Sequence, residues 1–194
     1  MLLGLLVLAA AGRADEAAAV KAIKKLGGEV VRDEEADGKP VVQASFFDTQ
    51  VTDADLKALA GLQHLRALYL VGTKVTDAGL KHLAGLKQLQ LLELGNTKVS
   101  DAGLKILAAH KQLRTLGLGY TNVTDVGLKE VVGLGDLEEL EFIGAKVTDA
   151  GLKHLAGLKQ LRKLELDQTG VTDHGLRHLV ASGRFNGLGS VKRR

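Results

Sequence analysis

From Val41 onward the apolar positions fall on a fixed grid. Leu65, Leu68 and Leu70 are followed by Thr73 and Val75, then by Leu80, Leu83 and Leu86, and the grid restarts at Leu89. Val51, Val75, Val99, Val123, Val147 and Val171 mark six restarts, each 24 residues after the last. Within a unit, the alternation Leu68-Tyr69-Leu70 predicts a strand buried on one side. Thr76-Asp77 then predicts a helix start, where a hydroxyl accepts from free N–H groups and an Asp favours the positive end of the dipole. Leu80, Leu83 and Leu86 turn that helix inward. Ala84 and its counterparts Ala60, Ala108, Val132, Ala156 and Val180 are small, as close stacking of helices requires. No single unit can bury its own apolar side, so each must cover the next.

The expected fold is therefore an α/β solenoid with a parallel sheet on its concave side and helices on its convex side. It curves because strands are narrower in cross-section than helices. Six strands begin near Val41, Leu65, Leu89, Leu113, Leu137 and Leu161, and the repeats occupy residues 41–183. Residues 15–40 form an N-terminal cap: a helix from Asp15 to Leu26 that stops at Gly27, then a short strand over Glu29–Arg32. The last helix, from Asp173 to near Ala181, has no strand after it. Residues 184–194 supply a C-terminal cap through Phe185 and Leu188, with a frayed tail from Val191.

Leu2 to Ala11 is an apolar run about half the length of the ~20 residues needed to span a bilayer. Gly12 and Ala14 stand at the −3 and −1 positions of a cut before Asp15, so residues 1–14 read as an export signal peptide. The mature chain is then exported, periplasmic or extracellular, with no integral membrane span. Retained, the same segment would anchor it to a membrane or join the core.

The units Leu65-x-x-Leu68-x-Leu70-x-x-Thr73 followed by Val75-Thr76-Asp77-Ala78-Gly79-Leu80 resemble the leucine-rich repeat superfamily. The nearest likeness is to its ribonuclease-inhibitor-like, cysteine-containing subtype, whose repeat reads L-x-x-L-x-L-x-x-C and then I-T-D-x-G-L. This chain puts Thr where that subtype has Cys. It is more similar still to short exported bacterial members built from V-T-D-A-G-L-K-x-L-A-G-L-K coils. The likeness covers about residues 41–181 and implies a solenoid whose relatives mostly bind proteins.

Composition narrows the chemistry. Of 194 residues 45% are hydrophobic but only 3% aromatic, so the core must be aliphatic. The absence of Cys excludes disulfides, thiolate zinc sites and a cysteine nucleophile. Net charge is only +3, from 26 basic and 23 acidic residues, so what matters is where the charges fall.

Non-leucine strand positions should line the hollow in columns about 4.8 Å apart per strand. The central column reads Ser45, Tyr69, Glu93, Gly117, Glu141, Glu165; beside it run Gln43, Ala67, Leu91, Thr115, Glu139, Lys163 and Phe47, Val71, Gly95, Gly119, Ile143, Asp167. One half of the hollow is apolar (Phe47, Tyr69, Val71, Leu91). The middle is floored by Gly117 and Gly119 with Tyr120 at the rim, and the far half is acidic (Glu139, Glu141, Glu165, Asp167). With Glu93 at the seam, these ten named side chains form the candidate site for a protein or peptide with apolar and basic parts. The competing readings are a solvated sheet face with Lys163 and Arg162 compensating, and calcium at the acidic end. Strands spread carboxylates in a row, which disfavours the latter.

Basic residues collect on the helices instead, among them Lys57, Lys81, His82, Lys105, Lys153 and Arg177. No aromatics interleave them, which argues against nucleic acid. The alternative function is a structural cell-envelope protein whose basic convex face meets anionic polymer or lipid. Thr49, Thr73, Thr97, Thr121 and Thr169 form a ladder expected to hydrogen-bond between coils, broken at Ala145. His174 and His178 have metal-ligand spacing but no third ligand. There is no nucleophile elbow or phosphate loop and no pocket to raise a carboxylate pKa, so no enzyme and no cofactor are expected. The expected state is a monomer.

Overall fold

Each 24-residue period closes into one coil: a three-residue strand, a turn inward, and a short convex segment that returns the chain. The computed structural model describes residues 2–181 and 190–192. An N-terminal helix α1 (Leu2–Lys25) leads into β1 (Glu29–Arg32) and β2 (Val41–Ser45). The coils follow as β3 (Ala67–Tyr69), α2 (Asp77–Leu80), β4 (Leu91–Glu93), α3 (Asp101–Leu107), β5 (Thr115–Gly117) and α4 (Leu128–Val131). They continue as β6 (Glu139–Glu141), α5 (Asp149–Leu155), β7 (Lys163–Glu165), α6 (Asp173–Ala181) and β8 (Ser190–Lys192).

The eight strands form one sheet in sequence order. Only β1 runs antiparallel to its neighbour; every later pair is parallel. The molecule is a curved leucine-rich repeat solenoid, with the sheet on the hollow side and the helical segments outside. The repeated leucines are its interior: Leu65, Leu68, Leu70, Leu80 and Leu83 are fully buried, as are most of their counterparts, with Leu176 of the last helix half-buried.

Several convex segments are 3₁₀ rather than α. Asp55–Gly61 is 3₁₀ throughout, and Lys81–Leu83 continues α2 as 3₁₀. The spacing of three at Leu80, Leu83 and Leu86 is compatible with three residues per turn, but the same spacing at Leu152, Leu155 and Leu158 accompanies the α-helix α5. Thr76, Ser100 and Thr148 cap their helices as expected, each hydroxyl accepting from the N–H two residues on.

The cap helix stops where anticipated. Gly27, at φ +80°, lets the Gly28 N–H reach back to the Ile23 carbonyl at 2.9 Å, a glycine-terminated helix end. The helix starts earlier than Asp15 and runs across the Ala14–Asp15 bond. Among the described side chains, attachments to the solenoid lie beyond that bond. Glu16 accepts from Arg32 at 2.7 Å and from the Val41 N–H at 3.1 Å, and Ala19 and Ile23 are buried. No helix among the described residues is long and apolar enough to cross a membrane.

Three expectations need correction. A strand does follow the last helix: β8 pairs with β7 in register Leu164↔Val191, so the tail from Val191 continues the sheet. Phe185 and Leu188 lie outside the described residues. The threonine hydroxyls bond within their own coil: Thr73 Oγ1 donates to the Leu70 carbonyl at 2.7 Å, and Thr97, Thr121 and Thr169 repeat that geometry. The carbonyl three residues back offers each hydroxyl a local acceptor within the turn. Strands also begin about two residues later than the first leucine of each unit, because Leu65 and its counterparts close a turn; the Leu65 N–H donates to the Leu62 carbonyl at 3.0 Å.

One buried residue departs from the grid. His110 replaces the leucine found at 62, 86, 134 and 158 and is 6% exposed. Its Nε2 lies 3.0 Å from the Leu83 carbonyl, while its Nδ1 has no partner.

Candidate functional site

Strand register decides which side chains share the hollow. Ser45, Tyr69, Glu93, Gly117, Glu141 and Glu165 are successive partners across β2 to β7. Gln43, Ala67, Leu91, Thr115, Glu139 and Lys163 form a second row in the same pairings. A third row lies just past the strands and is held by backbone bonds between coils: Asp48 N–H to the Val71 carbonyl and Gly72 N–H to the Gly95 carbonyl, each at 2.9 Å. The same bond runs from Tyr120 N–H to the Ile143 carbonyl at 2.6 Å. All ten candidate residues thus lie on one continuous surface.

The apolar half is a true exposed patch. Phe47 is 55% exposed, and its ring centroid lies 5.6 Å from that of Tyr69 at an interplanar angle of 32°. Val71 and Leu91 continue the patch, each half-buried. An aromatic pair in solvent on a rigid sheet is poor for solubility and well suited to a partner.

The acidic half divides in two. Lys163 Nζ pairs with Glu165 Oε1 at 3.0 Å and lies 3.7 Å from Glu139 Oε2. The bond to Glu165 raises the Lys163 pKa and favours its charged form. Glu93 and Glu141 have no such partner. Contrary to the expectation that no pocket would raise a carboxylate pKa, burial against the sheet, then the Glu141 charge, pushes the Glu93 pKa up to about 7. Burial, then Glu165, raises that of Glu141.

Gly117 and Gly119 explain the lean of these two carboxylates. A methyl group on Gly117 would overlap the Glu93 carboxylate, and one on Gly119 would come within 2.7 Å of Glu141 Oε1. Glu93 therefore lies over the bare backbone at Gly117 in β5, and Glu141 over that at Gly119 just past the strand. Between them is a small cleft of about 50 Å³, lined by Glu93, Thr115, Glu139, Glu141, Lys163 and Glu165 with the backbone of Leu116 and Leu140 below.

Tyr120 has a backbone conformation that the sequence did not announce. It sits at φ +53°, in a row that recurs once per coil: Asp48, Gly72, Asn96, Tyr120, Gly144 and Gln168 all have positive φ. Glycine and the short polar residues suit that conformation; a tyrosine does not. Its ring lies across Gly144, where an added methyl would strike ring carbons, and its hydroxyl donates to Gln168 Oε1 at 2.9 Å. The 24-residue recurrence of Gly and Asn was the available clue. Asp167 lies at the same rim, half-buried.

Among the described residues, no three His, Asp or Glu side chains converge as metal ligands would.

A family profile described as leucine-rich repeat matches residues 61–84. Among solved structures, an internalin (inlF) from Listeria monocytogenes superposes with a TM-score of 0.59 at 25% identity, over 77% of this chain and 39% of that one. Internalin C2 of the same organism aligns at 20% identity and a TM-score of 0.47, over 91% and 92% of the two chains. No curated protein matches the sequence. The chain spans about two fifths of the first internalin's length. In its repeat grid and its sheet the chain is thus similar to leucine-rich repeat proteins, a fold whose stacked coils present extended surfaces.

Proposed function

We propose that this protein is a non-enzymatic binding module that recognises a protein or peptide on the concave sheet. The observation that carries the reading is the continuity of two unlike surfaces on one rigid floor. The exposed Phe47–Tyr69 pair with Val71 and Leu91 adjoins the unpaired carboxylates of Glu93 and Glu141. Exposed aromatics give up apolar area to a partner, and desolvated carboxylates gain most from a cation. Export follows in this proposal from the apolar run before Asp15, and the solenoid's attachments from Glu16 onward survive a cut after Ala14.

The test is crosslinking capture from cell-envelope extract by the purified protein, compared with Tyr69→Ala and Glu141→Lys. Capture should fall with both changes. Capture indifferent to both refutes the concave site and favours the basic convex face, in which case salt-sensitive sedimentation with anionic lipid would be the expected behaviour.

A further inference from the structure

We infer that the exposed apolar half of the sheet docks an extended partner segment carrying an aromatic or large aliphatic residue four positions from a lysine or arginine. The cation enters the cleft lined by Glu93 and Glu141, beside Gly117. This rests on the concave-face reading above and adds the chemistry the partner must present and its spacing.

Charge complementarity selects the partner. Lys163, the cation facing this part of the hollow, is committed to Glu165 and Glu139. Glu93 leans over Gly117 and Glu141 over Gly119, and Lys163 acts on both only through space, its ion pairs being with Glu165 and Glu139. A cation between them would relieve both their mutual repulsion and their desolvation. The cleft, at about 50 Å³, is sized for a single small head group. An apolar side chain is suited to the other end, where Phe47, Tyr69, Val71 and Leu91 offer area and no charge.

The spacing follows from the sheet. Gly117 lies two strands from Tyr69 and three from the coil of Phe47, so at about 4.8 Å per strand the two ends are about 10–14 Å apart. A peptide crossing the strands rises about 3.3 Å per residue, and only every second side chain faces the sheet. Two residues span about 7 Å and six about 20 Å, whereas four span about 13 Å. Four is the even number that fits.

The probes are fluorescein-labelled ten-residue peptides on a Ser/Gly background, titrated against the purified protein by anisotropy. One set has Phe and Lys four apart, in both orders. Controls have the pair two apart, the Lys acetylated, or the Phe replaced by Ala. In one of the two orders the four-apart peptide should bind at least tenfold more tightly than every control. Gly117→Ala fills the floor beneath Glu93 without altering charge, and Gly117 has no unusual φ, so the fold should persist. It should remove the preference for Lys over acetyl-lysine, as should Glu93→Gln, with unchanged circular dichroism. Absence of binding, or binding indifferent to spacing, to acetylation or to both variants, overturns this inference. If such indifferent binding is still lost in Tyr69→Ala, the concave-face reading survives alone; binding untouched by Tyr69→Ala and Glu141→Lys sinks both.

Discussion

Asp77 is tied twice to Ser100 in the next coil: Oδ1 accepts from the Ser100 N–H at 2.8 Å and Oδ2 from its hydroxyl at 2.6 Å. The same pair of bonds joins Asp53 to Thr76, Asp101 to Thr124, Asp125 to Thr148 and Asp149 to Thr172. The Asp of each V-[ST]-D therefore does more than favour a helix dipole. It stitches coil to coil, and the glycine two residues past each next Asp leaves room for it. At Gly103 an added methyl would come within 2.5 Å of Asp77 Oδ1 and 2.8 Å of Val99 Cγ1.

Gly103→Ala should accordingly destabilise the fold by about 1–3 kcal/mol through overpacking, although Ala is intrinsically the better helix former by about 1 kcal/mol. Asp77→Ala should cost about 1.5–3 kcal/mol, the usual worth of hydrogen bonds to a charged group. The double variant should cost less than the two added together, because the methyl then has space. Urea unfolding of the four proteins checks this; strict additivity would show that Gly103 does not make way for Asp77.

His110→Leu restores the repeated leucine and removes a buried nitrogen without a partner. The Leu83 carbonyl keeps its bond from the Leu86 N–H at 2.8 Å, so nothing is orphaned. Stability should rise by about 1 kcal/mol. A lower thermal midpoint would mean that the histidine bond outweighs the unpaired Nδ1.

Tyr120→Asn places at that turn the residue found one coil earlier, Asn96, at the same φ of +53°. Relief of the left-handed tyrosine should add about 1 kcal/mol, or roughly 2–4 °C in midpoint for a chain of this size. The same change removes the ring from Gly144 and the bond to Gln168, and should weaken binding to the concave face severalfold. A variant that is less stable would show that the ring contacts outweigh the backbone cost.

Glu93 gives the stability a dependence on pH of opposite sign to the usual carboxylate. Below about pH 4.5 it is protonated in both folded and unfolded chains and contributes nothing. As pH rises toward 7 the unfolded chain loses its proton first, so folding weakens, and above that the cost is constant. Glu93→Gln should thus stabilise by about 1 kcal/mol at pH 8, after allowance for partial exposure, and be neutral at pH 4. Asp149 and Asp55 act the other way. Hydrogen bonds from Thr172 and Thr52 lower their pKa values, and the stability they add is lost as pH falls below the ordinary carboxylate range. A Glu93→Gln effect equal at both pH values would contradict the raised pKa.

The architecture was legible because a fixed 24-residue grid leaves one way to bury Leu68, Leu70, Leu80 and Leu83 together. The columns of the hollow followed from the same count, and Tyr69, Glu93, Gly117 and Glu141 are neighbours as it requires. What escaped depends on atomic detail that periodicity does not carry. Whether Thr73 bonds its own coil or the next turns on where the Leu70 carbonyl points. That Glu93 lies over Gly117, and that position 120 is left-handed, depends on side-chain lean and turn geometry. The strand at Ser190–Lys192 was missed because its offset from β7 departs from the grid: Leu164 pairs with Val191, not with a residue 24 later.

Backbone amide chemical-shift mapping with the Phe/Lys peptide most directly tests the concave sheet as the binding surface. The account predicts perturbations at Tyr69, Leu91, Glu93, Gly117 and Glu141, with the convex segments carrying Lys57, Lys81, Lys105 and Lys153 unchanged. Perturbations confined to those convex segments would contradict it.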